Sequence, residues 1–67
     1  MNKLGMHPEN GALLTRLIRE DLASARFEAK GAQFAINDGD PDRARNHAYW
    51  AARLANRAVR RFDAFAL

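Results

Sequence analysis

A chain of 67 residues makes one small domain, and at this size the entropy of ordering, about 1.5 kcal/mol per residue, nearly cancels what one core can supply. There is no cysteine, which excludes disulfides and thiolate zinc sites; His7 and His47 have no companion ligand motif, so oligomerisation is the expected route to stability. The formal charge of +3 is unevenly placed: five basic against seven acidic residues up to Asp42, then six arginines against Asp63 alone. The second part therefore either meets an anionic partner or pairs with the first.

Residues 1–7 read as a flexible leader. The start lacks the apolar run of about 7 to 15 residues of a secretory signal. No segment approaches the roughly 20 apolar residues of a membrane span, and the expected location is cytoplasmic. Residues 8–67 read as a single helical-hairpin domain, with helix 1 over about 8–37, a turn at 38–40 and helix 2 over about 41–65. Fourteen alanines favour helix, and both long segments show helical rather than alternating periodicity. Gly31 lies inside helix 1 and costs it about 1 kcal/mol relative to alanine.

Helix 1 repeats Ile18, Leu22, Ala25, Ala29, Ala32 and Ile36 in alternating four- and three-residue steps. Helix 2 repeats Ala44, Ala48, Ala51, Ala55, Ala58, Phe62 and Phe65 in the same way. Both are heptad stripes. Folded antiparallel about Gly39, they predict layers in which Ile36 faces Ala44, Ala32 faces Ala48, Ala29 faces Ala51, Ala25 faces Ala55, Leu22 faces Ala58 and Ile18 faces Phe62. The expected fold is all-α: an antiparallel two-helix hairpin with an alanine-rich heptad seam. A second apolar sector on helix 1, formed by Leu13, Leu17, Phe27, Phe34 and Ala35, turns away from that seam. Trp50, Leu54 and His47 flank the seam on helix 2. A helix apolar on two sides is buried on two sides. The reading is a homodimer of hairpins forming a four-helix bundle, with Leu13, Leu17, Phe27, Phe34 and Leu54 at the oligomer interface.

The stretch NDGDPDRARN, at 37–46, spaces Asp38, Asp40 and Asp42 like a calcium loop. An EF-hand loop needs glycine at its sixth position and a bidentate glutamate at its twelfth; here those positions hold Arg43 and Tyr49. Gly39 instead suits a helix end, and Asp40, Pro41 and Asp42 suit the cap and first turn of the next helix. No metal site is expected.

Catalysis needs a nucleophile, a base and an orienting group together. The hydroxyl residues are Thr15, Ser24 and Tyr49, His47 is too far along the hairpin to reach Ser24, and no glycine-rich phosphate loop is present. No enzyme, no catalytic residue, no cofactor and no small-molecule substrate are expected. The tail RRFDAFAL mixes arginines with Phe62, Phe65 and Leu67 as interfacial helices do, but its phenylalanines continue the seam and read as core.

On helix 2, Arg53, Arg57, Arg60 and Arg61 fall opposite the alanine seam with Trp50 interleaved. Trp and Arg are enriched in binding hot spots, and Trp50, Arg53 and Arg57 are the candidate partner-binding group. Arginines beside an aromatic also contact phosphates and stack on bases, so the alternative is a nucleic-acid face of Arg53, Arg57, Arg60, Arg61 and Lys30. Asp21 and Glu28 stand at about the level of Arg53, Arg57 and Arg60 and can match part of that charge internally.

The segment GDPDRARNHAYWAARL, at 39–54, resembles the turn and second helix of a tetratricopeptide repeat, with Ala44, Ala48, Ala51 and Leu54 at the small and leucine positions. Gly31 and Phe34 match the first helix only with one residue inserted, and a single repeat is too little for stability. In size and layout the chain is similar to the plasmid-borne RNA-binding hairpin of the Rop type, which dimerises into a four-helix bundle. That likeness is architectural and transfers no functional residue. The expected function is a small non-enzymatic regulatory or adaptor protein, of phage or plasmid type, that binds another protein as a homodimer. The alternative is a Rop-like RNA or DNA binder using the arginine face of helix 2.

Overall fold

The computed structural model describes residues 8–66, with side-chain surroundings over 11–64. It contains two helices, α1 (Pro8–Asn37) and α2 (Pro41–Ala66), packed on each other as a hairpin. No strand occurs among the described residues, and none of the described helices is long and apolar enough to cross a membrane. The leader expected over residues 1–7, with His7, lies outside the described residues, as do Leu67 and the side chain of Phe65.

The connection between the helices is built from local chemistry. Gly39 sits at φ 74°, a left-handed conformation that glycine adopts without a Cβ penalty. Its N–H donates to Ile36 O at 3.0 Å, and the Asp40 N–H donates to Ala35 O at 2.8 Å. These two bonds close the end of α1 in a Schellman arrangement. Asp40 then caps α2: its Oδ1 accepts from the Arg43 N–H at 3.1 Å, and its carbonyl accepts the first helical bond from Ala44 at 3.0 Å. Pro41 occupies the first helical position, where a missing N–H costs nothing. The three loop acids therefore have structural surroundings: Asp40 caps, Asp38 accepts from Arg43 Nη2 at 2.8 Å, and Asp42 lies in the first turn of α2. Among the described residues, no group of three or more His, Asp or Glu side chains is placed to hold a metal.

The seam keeps half of each predicted stripe, Ile18, Ala25 and Ala32 on α1 with Ala44, Ala51 and Ala58 on α2, and departs from the prediction at the positions between them. Ile18, Ala35, Ala44 and Ala58 are buried, with Leu14, Ala25, Ala32, Ala51 and Leu54 half-buried between the helices. The intervening seam positions are polar: Asp21 (3% exposed) and the half-buried Glu28 on α1, and the half-buried His47 and Arg61 on α2. Leu22, Ala29, Ile36, Ala48 and Phe62, predicted to face the partner helix, are exposed instead. Each stripe is thus turned by about half of one residue's 100°, or roughly 50°, from the predicted setting. Ala35, placed by the apolar pattern on the outer sector, is fully buried.

Complementary polar pairs occupy the positions that this rotation brings together. A carboxylate removed from water requires partners, and Asp21 finds two arginines of α2 here. His47 Nδ1 lies 2.7 Å from Glu28 Oε1. The ring rests on Gly31, where an added Cβ would stand 3.0 Å from His47 Cγ and Nδ1. The mid-helix glycine is therefore a close-approach position, its propensity cost offset by packing that alanine would obstruct.

Candidate protein-binding surface

On the outer side of α2, Tyr49, Trp50 and Arg53 form an exposed, internally ordered cluster. The two rings meet edge to face, with centroids 5.5 Å apart and planes at 82°. The Arg53 guanidinium carbon lies 5.7 Å from the Tyr49 centroid and 5.9 Å from that of Trp50. Arg53 Nη1 also donates to Tyr49 Oη at 3.2 Å. Helix geometry assembles the group, because residues three and four apart are surface neighbours. Quadrupole attraction favours both the T-shaped ring pair and the cation against aromatic faces. Trp50 stays 47% exposed, so the cluster presents a prearranged aromatic surface with a charge attached.

Arg57 of the predicted trio is used elsewhere. Its Nε and Nη2 donate to Asp21 Oδ1 at 3.0 and 2.8 Å, and Arg61 Nε donates to Asp21 Oδ2 at 2.8 Å. Hydrogen bonding from Arg57 holds the Asp21 carboxyl below its ordinary value against the opposing effect of burial, and Arg61 adds to the lowering. The same contact raises the pKa of Arg57.

The candidate nucleic-acid face is thereby divided. Arg57 and Arg61 turn to Asp21, Arg53 lies against the aromatic pair, and Arg60 is exposed with no ion pair among the described residues. Lys30 lies on α1, beside Arg26 and Phe27 around a shallow surface depression. Glu28, expected near the arginines, lies against His47. Of the predicted oligomer residues, Leu13, Phe27 (74% exposed) and Phe34 face outward. Leu17 is half-buried, and Leu54 belongs to the seam within the hairpin.

Tyr49 is the member not expected from the sequence, where it entered only as a hydroxyl and as the residue that fails the twelfth calcium-loop position. The signal was present as two adjacent aromatics followed by an arginine at three and four residues' distance. The tetratricopeptide resemblance does not extend to the helices. A 34-residue repeat holds two helices of at most about 15 residues each, whereas α1 has 30 and α2 has 26. Compared with family models, curated proteins and solved structures, the chain matches none of them.

Proposed function

We propose that this protein is a small, non-enzymatic regulatory or adaptor protein of the kind built by phages and plasmids, acting in the cytoplasm by binding another protein. In this reading two hairpins associate into a four-helix bundle, and the Tyr49–Trp50–Arg53 cluster is the partner-facing group, with Arg57 at its border. The observation that carries the reading is the order of that cluster while it is still exposed. Binding costs include immobilising rotamer-rich side chains, about 0.5–1.5 kcal/mol each. Rings and a guanidinium already packed on one another have lost part of that freedom beforehand. Trp, Tyr and Arg are also the residue types that dominate hot spots.

The alternative, a Rop-like nucleic-acid binder, would work chiefly with Arg53, Arg60 and Lys30, since Arg57 and Arg61 are engaged by Asp21. Phosphate neutralisation by so few cations predicts weak binding with a shallow salt dependence, because the slope scales with the number of phosphates contacted. Both readings meet one experiment: affinity capture of partners by the wild-type protein and by Trp50→Ala/Arg53→Ala, with nuclease-treated and untreated arms. A protein partner retained after nuclease and lost with the double substitution supports the proposal. Capture unchanged by the substitution removes the cluster from the site, and capture abolished by nuclease moves the function to nucleic acid.

A further inference from the structure

The rotated seam leaves an apolar flank that the partner-binding cluster does not use. Leu22, Ala29 and Ile36 each follow a seam residue of α1 by one position, and Ala48, Ala55 and Phe62 do the same on α2. Both helices are right-handed and run antiparallel, so this one-residue advance turns both stripes toward the same side of the hairpin. Ile36 is 60% and Phe62 53% exposed, Leu22 is exposed as well, and none of the six positions is charged. The opposite flank differs: it mixes Phe27, Phe34 and Trp50 with Glu20, Arg53 and Arg57.

We infer that the uncharged flank is the self-association surface, covered by the same flank of a second copy. This inference rests on the homodimer reading above and assigns that homodimer its face. Three observations select a second copy as the occupant. The first is charge. In a two-fold contact like surface meets like surface, and a flank whose six central positions carry no charge can do so without setting like charges against each other, whereas the opposite flank carries Glu20, Arg53 and Arg57.

The second observation is composition. Homodimer interfaces are more apolar than the general surface and depleted of charge at their centre, and this flank has that character while the opposite one does not. Arg19, Arg26 and Arg45 lie on its outer edges, where a polar rim belongs. The third is helix geometry. A helix that touches two neighbours in a bundle needs a third stripe beside its two seam positions. The six residues supply that stripe on both helices, and the alanines among them permit close approach. The phenylalanine sector predicted as the oligomer interface is then left beside the Tyr49–Trp50–Arg53 cluster for the partner.

The test is mass by light scattering and sedimentation over a concentration series. It compares wild type with Leu22→Glu/Ile36→Glu and with Phe27→Ser/Phe34→Ser, and circular dichroism confirms helicity. The inference expects twice the chain mass for wild type and for the phenylalanine variant, with the dimer dissociation constant of the glutamate variant raised at least ~100-fold. A dimer lost in the phenylalanine variant but kept in the glutamate variant overturns the assigned face and leaves the homodimer standing. A wild-type monomer at all concentrations overturns the homodimer itself. A second measurement does not depend on the glutamate variant folding. The described chain contains no cysteine, so Ala48→Cys and Ser24→Cys give single reporters on the two flanks. Alkylation of the former at least ~10-fold slower at high concentration, with the latter unchanged, supports the inference. Equal protection of both overturns it.

Discussion

Replacing Gly31 with alanine tests the rotated seam directly. In an open helix the change stabilises by about 0.8–1 kcal/mol, because alanine restricts the unfolded chain and suits the helix. At this site the new Cβ would meet three atoms of the His47 ring, at 3.0, 3.0 and 3.1 Å. The ring has little room to retreat, since its Nδ1 is the atom held 2.7 Å from Glu28 Oε1. Displacing it forfeits that contact, about 0.5–1.5 kcal/mol, and adds overpacking of about 1–3 kcal/mol. The expected outcome is a net loss of roughly 0.5–3.5 kcal/mol. In a His47→Ala background the obstruction is gone, and Gly31→Ala should stabilise by nearly its full helix-propensity value. The resulting coupling, about 1.5–4.5 kcal/mol, is measurable by urea denaturation of the four proteins in a double-mutant cycle. All four must be held at one concentration, because the proposed self-association would contribute to apparent stability. If Gly31→Ala stabilises equally in both backgrounds, His47 does not rest on Gly31 and the alanine seam read from apolar spacing is the better description.

Two further outcomes follow from the ion pairs and the turn. Asp21→Asn removes the charge that orients Arg57 and Arg61 and should cost about 1–2 kcal/mol at neutral pH, below the value for a deep pair because both arginines can reach water. Its pH dependence has a definite sign. The folded-state pKa of Asp21 is lowered from 3.8, so its contribution is present above the unfolded value and fades as pH falls through the lower folded one. The stability gap between wild type and variant should therefore close below about pH 4, and a gap independent of pH in acid denaturation would remove Asp21 as its source. At Gly39, φ is 74° and nothing lies within 4 Å of an added Cβ. Alanine there should cost about 1–2 kcal/mol through backbone strain alone, and asparagine less, which denaturation midpoints will compare.

The turn was legible in the sequence because everything that makes it is local. Gly39, Asp40 and Pro41 each favour one conformation at one place, and the hydrogen bonds that close it span five residues or fewer. The hairpin's existence was legible for a similar reason, since two helical periods flank that turn. The rotation of the seam was not, because it belongs to the pair of helices. Taken singly, α1 offers Leu22 and Ile36 as better core residues than Asp21 and Ala35. Likewise α2 offers Ala48 and Phe62 over His47 and Arg61. Only when the helices are set antiparallel does the heptad line of Asp21 and Glu28 on one meet the line of His47 and Arg61 on the other. The same blindness hid the fate of Arg57: its position on the helix marked it as surface charge, while its partner lies thirty-six residues earlier.

Burying Asp21 and Glu28 while leaving Leu22, Ile36 and Phe62 in water is a poor exchange for an isolated hairpin. Exposing an aliphatic or aromatic side chain that could be buried forgoes about 1.5–3 kcal/mol, whereas a polar pair across a seam returns little net stability. Under the proposed self-association the arrangement becomes favourable, because the polar pairs set how α1 and α2 face each other and the uncharged flank, taken up by a second copy, supplies the association energy. Division of the apolar content between two sides also resolves a conflict in the sequence reading, which placed the dimer residues Phe27 and Phe34 beside Trp50. Under the proposed assignment of self-association to the flank of Leu22, Ile36 and Phe62, one hairpin can meet its copy and its partner at once. Stability and partner binding then respond to different substitutions, and the Leu22→Glu/Ile36→Glu and Trp50→Ala/Arg53→Ala proteins are the pair that separates them.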